Sequence, residues 1–147
     1  MTLSWIMAAL HLVALALGFG ACWQRANALR QASTTAHLGA VLRADNWYGI
    51  ATLIWIVTGL WRAFGGLAKG TDYYLQSHTF WIKMALFGVI FLLELYPMTL
   101  LIKWRMALRR QKPVDMSPTP LMARLSYAEL AGILAMVVVA TAMARGM

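Results

Sequence analysis

Four long apolar segments constrain this chain more than any other feature of its sequence. They span residues 3–23, 47–64, 80–102 and 125–144. A helix rises about 1.5 Å per residue, so about 20 apolar residues are needed to cross the roughly 30 Å hydrocarbon layer of a membrane. The second segment is the shortest, but it is bracketed by interfacial aromatic residues, namely Trp47, Tyr48, Trp61 and Phe64. We therefore predict an all-α, integral membrane four-helix bundle with up-down-up-down topology, in which residues 1–147 form a single transmembrane domain.

The composition agrees with a membrane location. Of the 147 residues, 61% are hydrophobic and 12% are charged, whereas a soluble domain is about half apolar and about a quarter charged. The sequence has no CxxC, GxGxxG or P-loop motif, no histidine pair at metal-binding spacing and no Ser/His/Asp set. Nucleic-acid binding and hydrolase chemistry are therefore not expected, and the predicted surroundings are the lipid bilayer.

The distribution of Lys and Arg predicts the orientation of the helices. Nine of the thirteen basic residues, Arg25 among them, fall in segments 24–46 and 103–124. The opposite side has three, Arg62, Lys69 and Arg145. Because basic residues are enriched in cytoplasmic loops, we expect both segments to be cytoplasmic loops and both termini to be periplasmic, in a bacterial inner membrane. The first apolar segment lacks the preceding Lys or Arg of a signal peptide, so we interpret it as a permanent helix.

Short motifs indicate where two of the helices begin. Asp45–Asn46 precedes the second apolar segment and is typical of an N-cap. Ser126 and Glu129 form an S-x-x-E capping box at the start of the fourth segment. Apolar residues at helical spacing within segment 24–46 predict short amphipathic helices along the membrane surface.

His11 lies near the middle of the first apolar segment, on a stripe of mostly small residues. The stripe consists of Ser4, Ala8, His11, Leu15, Gly18 and Cys22. Small residues let helices approach closely, so we expect His11 to face the bundle interior. Two interpretations stay open: a metal ligand, haem ligand or proton carrier, or a histidine hydrogen-bonded to a neighbouring helix.

Lys83 and Glu94 place a cation and a carboxylate on one face of the third apolar segment. They are eleven residues apart, which is about 16 Å along a helix, so they cannot pair with each other. Lys83 can extend to the membrane surface, whereas Glu94 lies deeper and must be neutral or paired. Pro97 predicts a kink nearby. The predicted polar interior comprises His11, Thr52, Lys83, Glu94 and Glu129.

Four stretches carry a resemblance to known proteins. They are ALHLVALALGFG, LRADNWYGIATLIWIVTGLWRAFGG, FWIKMALFGVIFLLELYPMTLLIKWR and RLSYAELAGILAMVVVATAMARG. Over its full length the chain resembles a family of short four-helix inner-membrane proteins of unknown function from proteobacteria. More distantly, its layout is similar to the HemJ-type protoporphyrinogen oxidases and to the CopD-like membrane proteins.

The HemJ-type resemblance implies a haem b site and the oxidation of protoporphyrinogen in the membrane. His11 matches the histidine of the first helix in that family, and Lys83 matches the lysine that opens its third helix. Arg124 and Glu129 approximate the arginine and the acidic residue at the start of its last helix. If the protein is an enzyme, the resemblance implies a membrane oxidoreductase.

This chain departs from the HemJ-type pattern at two histidine positions. Trp81 stands at one of them and Glu94 at the other, so His11 is the one histidine expected at mid-membrane depth. A haem or other metal centre would then use His11 with a methionine, as a five-coordinate iron, or together with a second protomer. The methionines considered are Met7, Met84 and Met136.

Three functional hypotheses follow. The first is a haem-binding or redox-associated protein, with His11 as axial ligand and Lys83, Arg62 and Arg145 available for the propionates. The second is a non-catalytic accessory or assembly subunit of a larger membrane complex or homo-oligomer. The third is a small metal-ion transporter with its site at Glu94 and the Pro97 kink.

Overall fold

The structure, a computed structural model, describes residues 2–66 and 70–146, and within these residues it is all-helical, as predicted. Five α-helices follow one another: α1 (Thr2–Gln31), α2 (Leu38–Phe64), α3 (Thr71–Gln76), α4 (His78–Arg109) and α5 (Thr119–Ala144). A single 3₁₀ turn, Thr35–His37, precedes α2. Four of the helices are long, and α3 is a short helix in the α2–α4 connection. Lys69, which was used to predict the topology, lies outside the described residues.

Three of these helices are long and apolar enough to cross a membrane, namely α1, α4 and α5. The predicted second span, residues 47–64, is helical as part of α2, but α2 does not meet the same measure of length and composition among the described residues. Each long helix nevertheless exposes large apolar side chains. Leu12, Leu53, Leu92 and Val138, one from each long helix, are 61–67% exposed. Surfaces of this kind are suited to lipid rather than to water.

The helices extend further than the apolar segments predicted. Helix α1 continues past Trp23 to Gln31, and α2 begins at Leu38 rather than near Trp47. Most of segment 24–46 is therefore a continuation of the two long helices, and the prediction of short surface helices there was wrong. The physical reason is that these extensions pack against each other and against α4 and α5, with Leu29, Leu38 and Val41 almost completely buried.

Both predicted helix caps were wrong for the same reason. Asp45–Asn46 lies inside α2, and Ser126 and Glu129 lie inside α5, which begins at Thr119. Asp45, Ser126 and Glu129 instead bond to side chains of other helices. These tertiary contacts, rather than helix caps, explain why the polar residues stand there.

Helix α1 packs along α2 on one side and along α5 on the other, and α4 packs on α5. Small residues on the predicted α1 stripe permit the close approach. A Cβ atom at Gly18 would lie 3.6 Å from the Cβ of Ala51, and His11 and Cys22 of the same stripe are buried. Helices α2 and α4 meet largely through side chains, for example the rings of Trp55 and Phe87, whose centroids are 5.9 Å apart.

Two buried apolar clusters lie along the bundle. One surrounds Cys22 and Tyr48 and includes Ile90, Leu130 and Met136. The other lies nearer the α1–α2 connection and includes residues of all four long helices, namely Leu29, Leu38, Val41, Leu101, Trp104, Met122 and Ala123. Pro97 is buried within α4, which continues as a helix through it to Arg109. The buried polar side chains form two separate sites, one around His11 and one around Arg25.

Candidate functional site

The first polar site surrounds His11, which is only 7% exposed. Its Nδ1 atom lies 3.1 Å from the backbone oxygen of Trp55 and 3.0 Å from Oγ1 of Thr58. The Thr58 hydroxyl donates its own hydrogen to the Ile54 carbonyl at 2.7 Å, so toward His11 it accepts. Two acceptors around Nδ1 place the ring hydrogen there and leave the lone pair on Nε2.

Helix α2 is shaped to receive the imidazole. A Cβ atom at Gly59 would lie 3.1 Å from Cε1 of His11, which is tighter than normal packing. The Trp55 ring stacks on the imidazole at 5.1 Å between centroids, with an angle of 18° between the planes. The glycine and the indole therefore fix the position and the plane of the His11 ring.

Two cavities of about 130 and 460 Å³ adjoin His11. We call them together the His11 cavity, because the same six residues line both: His11, Trp55, Arg62, Tyr74, Lys83 and Met143. The smaller cavity extends between α2 and α4, and the larger extends between α1 and α5. The structure thus brings together three predicted site residues, His11, Lys83 and Arg62.

The polar groups of the His11 cavity are basic or neutral. The Lys83 ammonium lies 5.8 Å from the centroid of the Trp55 ring, and no Asp or Glu is among the residues that line either cavity. The indole Nε1 of Trp55 is buried and has no hydrogen-bond partner within the described part of the chain. An anionic ligand in this cavity would find two cations, Lys83 and Arg62.

Of the methionines considered as second ligands, Met84 lines the smaller cavity and Met136 the larger one, whereas Met7 lines neither. Met143 lines both, and the sequence analysis did not single it out. Arg145 is also absent from both linings. Thr52 lies further along the bundle, in a cavity of about 50 Å³ that Tyr48 and Trp55 also line.

The second polar site is centred on Arg25, whose side chain is completely buried. Its Nη1 donates to Oδ1 of Asp45 at 3.0 Å and to Oε1 of Glu94 at 2.9 Å. Its Nη2 donates to Oε2 of Glu94 at 2.7 Å and to Oε2 of Glu129 at 2.9 Å. Its Nε donates to the Ser126 hydroxyl at 3.2 Å. One side chain of α1 thereby bonds to α2, α4 and α5.

Further groups complete this Arg25 cluster, which we define as Arg25, Asp45, Glu94, Arg105 and Glu129. Arg105 donates to Oδ2 of Asp45 at 2.8 Å, and the Tyr48 ring lies 4.6 Å from the Arg25 guanidinium carbon. Three of the chain's five acidic residues are therefore gathered around two arginines. Oε1 of Glu129 is buried and has no hydrogen-bond partner among the described residues.

The Arg25 cluster explains how the carboxylate of Glu94 is accommodated among apolar helices. The prediction that Glu94 must be neutral or paired holds, because both of its oxygens accept from Arg25. Lys83 and Glu94 do not bond to each other, as their spacing predicted, and they belong to different sites. Glu129 is interior as predicted, with a fully buried side chain.

Arg25 itself was missed, because a basic residue after an apolar segment was counted as part of a cytoplasmic loop. A signal was present in the sequence. The stripe that contains His11, Gly18 and Cys22 reaches Arg25 after three more residues. Asp45 likewise lies on the small-residue face of the second segment. Extending the first stripe past its apolar segment would have placed Arg25 in the interior as well.

Residues 3–147 match a family described as "predicted membrane protein (DUF2214)". The chain belongs to this DUF2214 family. No curated protein and no solved structure matches it, so the comparisons add no HemJ-type or CopD-like relative. Within residues 2–66 and 70–146, this DUF2214 protein has no group of three His, Cys, Asp or Glu side chains that could hold a metal ion.

We expect Arg25→Met to destabilise the protein strongly. Removing one partner of a buried ion pair costs about 3–5 kcal/mol, because it leaves an uncompensated charge, and here three carboxylates lose their shared donor. Thermal unfolding of the full chain in detergent, followed by far-UV circular dichroism, measures the effect. Arg109→Met, at the exposed end of α4, is the control and should stay within about 0.5 kcal/mol of the wild type. Equal stability of the Arg25→Met and Arg109→Met variants would show that the buried ion pairs of Arg25 do not stabilise the protein.

Proposed function

We propose that this protein binds a haem-type tetrapyrrole in the His11 cavity, with Nε2 of His11 as an axial ligand. The proposal rests on the hydrogen bonds of the other ring nitrogen of His11, Nδ1. A metal-ligating histidine usually donates its other ring N–H to a carbonyl or carboxylate, which fixes the tautomer and orients the ring. His11 donates from Nδ1 toward the Trp55 carbonyl and Thr58, and its Nε2 lone pair is available.

The residues around His11 suit the two chemical halves of a haem. Its flat macrocycle is apolar, and the His11 cavity is walled by aromatic and aliphatic side chains, including Leu60, Phe80 and Phe87. Its two propionates are anionic, and Lys83 and Arg62 supply cations in the same cavity.

A methionine would be a suitable second residue to hold the haem iron. Met84 and Met143 line the smaller cavity together with His11, and a thioether is a common partner of histidine on haem iron. When bound, the haem would supply one-electron redox chemistry. The residues of this chain would bind the haem, orient it and exclude water from it. An oxidoreductase activity rests on the HemJ-type resemblance alone.

The contacts of Glu94 favour this proposal over a metal-ion transporter. Both oxygens of Glu94 accept hydrogen bonds from Arg25 at 2.7–2.9 Å. A guanidinium at that place repels a metal cation, and the carboxylate has already been neutralised. The accessory-subunit hypothesis stays a prediction, and co-purification of other membrane proteins in mild detergent tests it. The bacterial inner-membrane location and the periplasmic termini likewise stay predictions.

We expect the full chain, purified from cells supplied with a haem precursor, to show a Soret band that His11→Ala removes. The loss follows because no other histidine lines the His11 cavity. His37→Ala, at an exposed position before α2, is the matched control and should keep the band. Far-UV circular dichroism on all three proteins checks that each is folded.

Two results would contradict the haem proposal. One is a colourless wild-type protein that also fails to bind added haemin in a titration. The other is a Soret band that His11→Ala and His37→Ala leave equally intact, since the haem would then lie elsewhere.

The close approach of Gly59 to His11 yields a second test. Gly59→Ala would place a methyl group 3.1 Å from Cε1 of His11 and tilt the ring away from its bond to Trp55. Changes to groups that orient a metal ligand typically lower affinity about 10–100-fold, and we expect a loss at the lower end of that range in a haemin titration. Gly49→Ala, on the same helix with nothing within 4 Å, should bind haemin as the wild type does. Equal haemin affinity of the two glycine variants would argue against His11 as the ligand.

A further inference from the structure

A groove of about 710 Å³ lies between α1 and α2, near the connection that joins them. It is separate from the His11 cavity and shares no lining residue with it. Residues of α1, of the 3₁₀ turn and of α2 surround it, and the ones that matter here are Trp23, Gln24, Asn27, His37, Arg43 and Trp47. We call it the Arg43 groove.

The polar groups of the Arg43 groove present hydrogen-bond donors. Oδ1 of Asn27 accepts from the Tyr127 hydroxyl at 2.6 Å, which leaves the amide NH₂ of Asn27 as its unused group. Nδ1 of His37 accepts from the backbone N–H of Ser33 at 3.3 Å, so the ring hydrogen belongs on Nε2.

The charge of the groove has one sign. The Arg43 guanidinium makes no ion pair with any residue in the described ranges, although Arg25 and Arg105 both pair with Asp45. No Asp or Glu is among the residues that line the groove. A groove lined by a guanidinium and by amide N–H donors is complementary to an anion with several acceptor oxygens, such as a phosphate.

The two tryptophans place the Arg43 groove at the edge of the membrane. Trp23 is 51% exposed and Trp47 is 62% exposed, and tryptophan is enriched where the hydrocarbon layer meets the lipid headgroups. They mark the depth at which lipid phosphates lie. Gly39 and Ala40 also line the groove, and a Cβ atom at Gly39 would lie 3.6 Å from Nη1 of Arg43.

We propose that the Arg43 groove binds the headgroup of an anionic phospholipid, with the guanidinium of Arg43 on the phosphate. The acyl chains would lie against the apolar outer faces of α1 and α2, where Leu17 and Ile50 are exposed. This site is independent of the His11 cavity, and a failure of either proposal leaves the other unaffected.

Native mass spectrometry of the full chain tests the proposal directly. The protein is released from micelles that contain phosphatidylglycerol and phosphatidylcholine with identical acyl chains, and the retained lipid is counted. We expect the wild type to retain one phosphatidylglycerol in preference to phosphatidylcholine. Arg43→Gln should lower that preference about fivefold, the factor expected for one basic residue near an anionic membrane surface. Arg30→Gln removes the same charge from an exposed position on the last turn of α1 and outside the groove, and it should keep the preference.

Either of two outcomes would overturn the proposal. Equal retention of both lipids by the wild type would show that the groove does not recognise an anionic headgroup. An equal loss in the Arg30→Gln and Arg43→Gln proteins would show that the preference comes from diffuse surface charge.

Discussion

The bundle depends on one buried cation, the guanidinium of Arg25. A charge removed from water is costly unless it is paired and its hydrogen-bonding groups are satisfied. Arg25 meets that requirement only when Asp45 of α2, Glu94 of α4 and Glu129 of α5 are all in place. The four long helices are therefore tied at one point by a group that none of them could bury alone.

This requirement explains the lengths of the helices. Arg25 lies beyond the first apolar segment and Asp45 lies before the second, yet both are inside helices. Helices α1 and α2 must extend past their apolar parts for the two side chains to meet. Arg105 adds a second bond to Asp45 from α4, so this end of the bundle is held by ion pairs as well as by packing.

The opposite end of the bundle is organised differently. The His11 cavity is lined by residues of all five helices, and no Asp or Glu is among them to pair with Lys83 and Arg62. Because the Arg25 cluster fixes the helices some four turns of α1 away, the end around His11 is not required to close. It can keep an open cavity. The bundle is therefore divided into an end held together by the ion pairs of Arg25 and an end that contains the His11 cavity.

The sequence predicts the all-helical fold and three helices that are long and apolar enough to cross a membrane, because a long apolar stretch has few other stable forms in lipid. Periodicity also places His11, Lys83 and Glu94 on interior faces; His11 is buried, whereas Lys83 and Glu94 are half-buried. Arg25 was missed because a count of basic residues treats every arginine beside a membrane segment as a loop residue.

What the sequence alone cannot supply is the register between helices. The axial position of α1 relative to α2 and α5 determines that Thr58 lies opposite His11 and that Ser126 accepts a hydrogen bond from Arg25. The proposed N-cap at Asp45 and capping box at Ser126 and Glu129 matched local patterns, but contacts between helices determined the role of these residues.

A double-mutant cycle on Arg25 and Glu94 tests the central claim most directly, with the free energy of unfolding in detergent as the measured quantity. Glu94→Gln should destabilise the wild-type protein, because the amide has no negative charge, keeps only one acceptor oxygen and places an NH₂ donor against the Arg25 guanidinium. In the Arg25→Met background, the same substitution should restore part of the lost stability, because it removes a partly buried carboxylate that no longer has a cation beside it. The coupling should lie in the upper part of the roughly 0.5–3 kcal/mol range found for residues in one network. If Glu94→Gln changes the stability equally in both backgrounds, Arg25 does not tie the helices together.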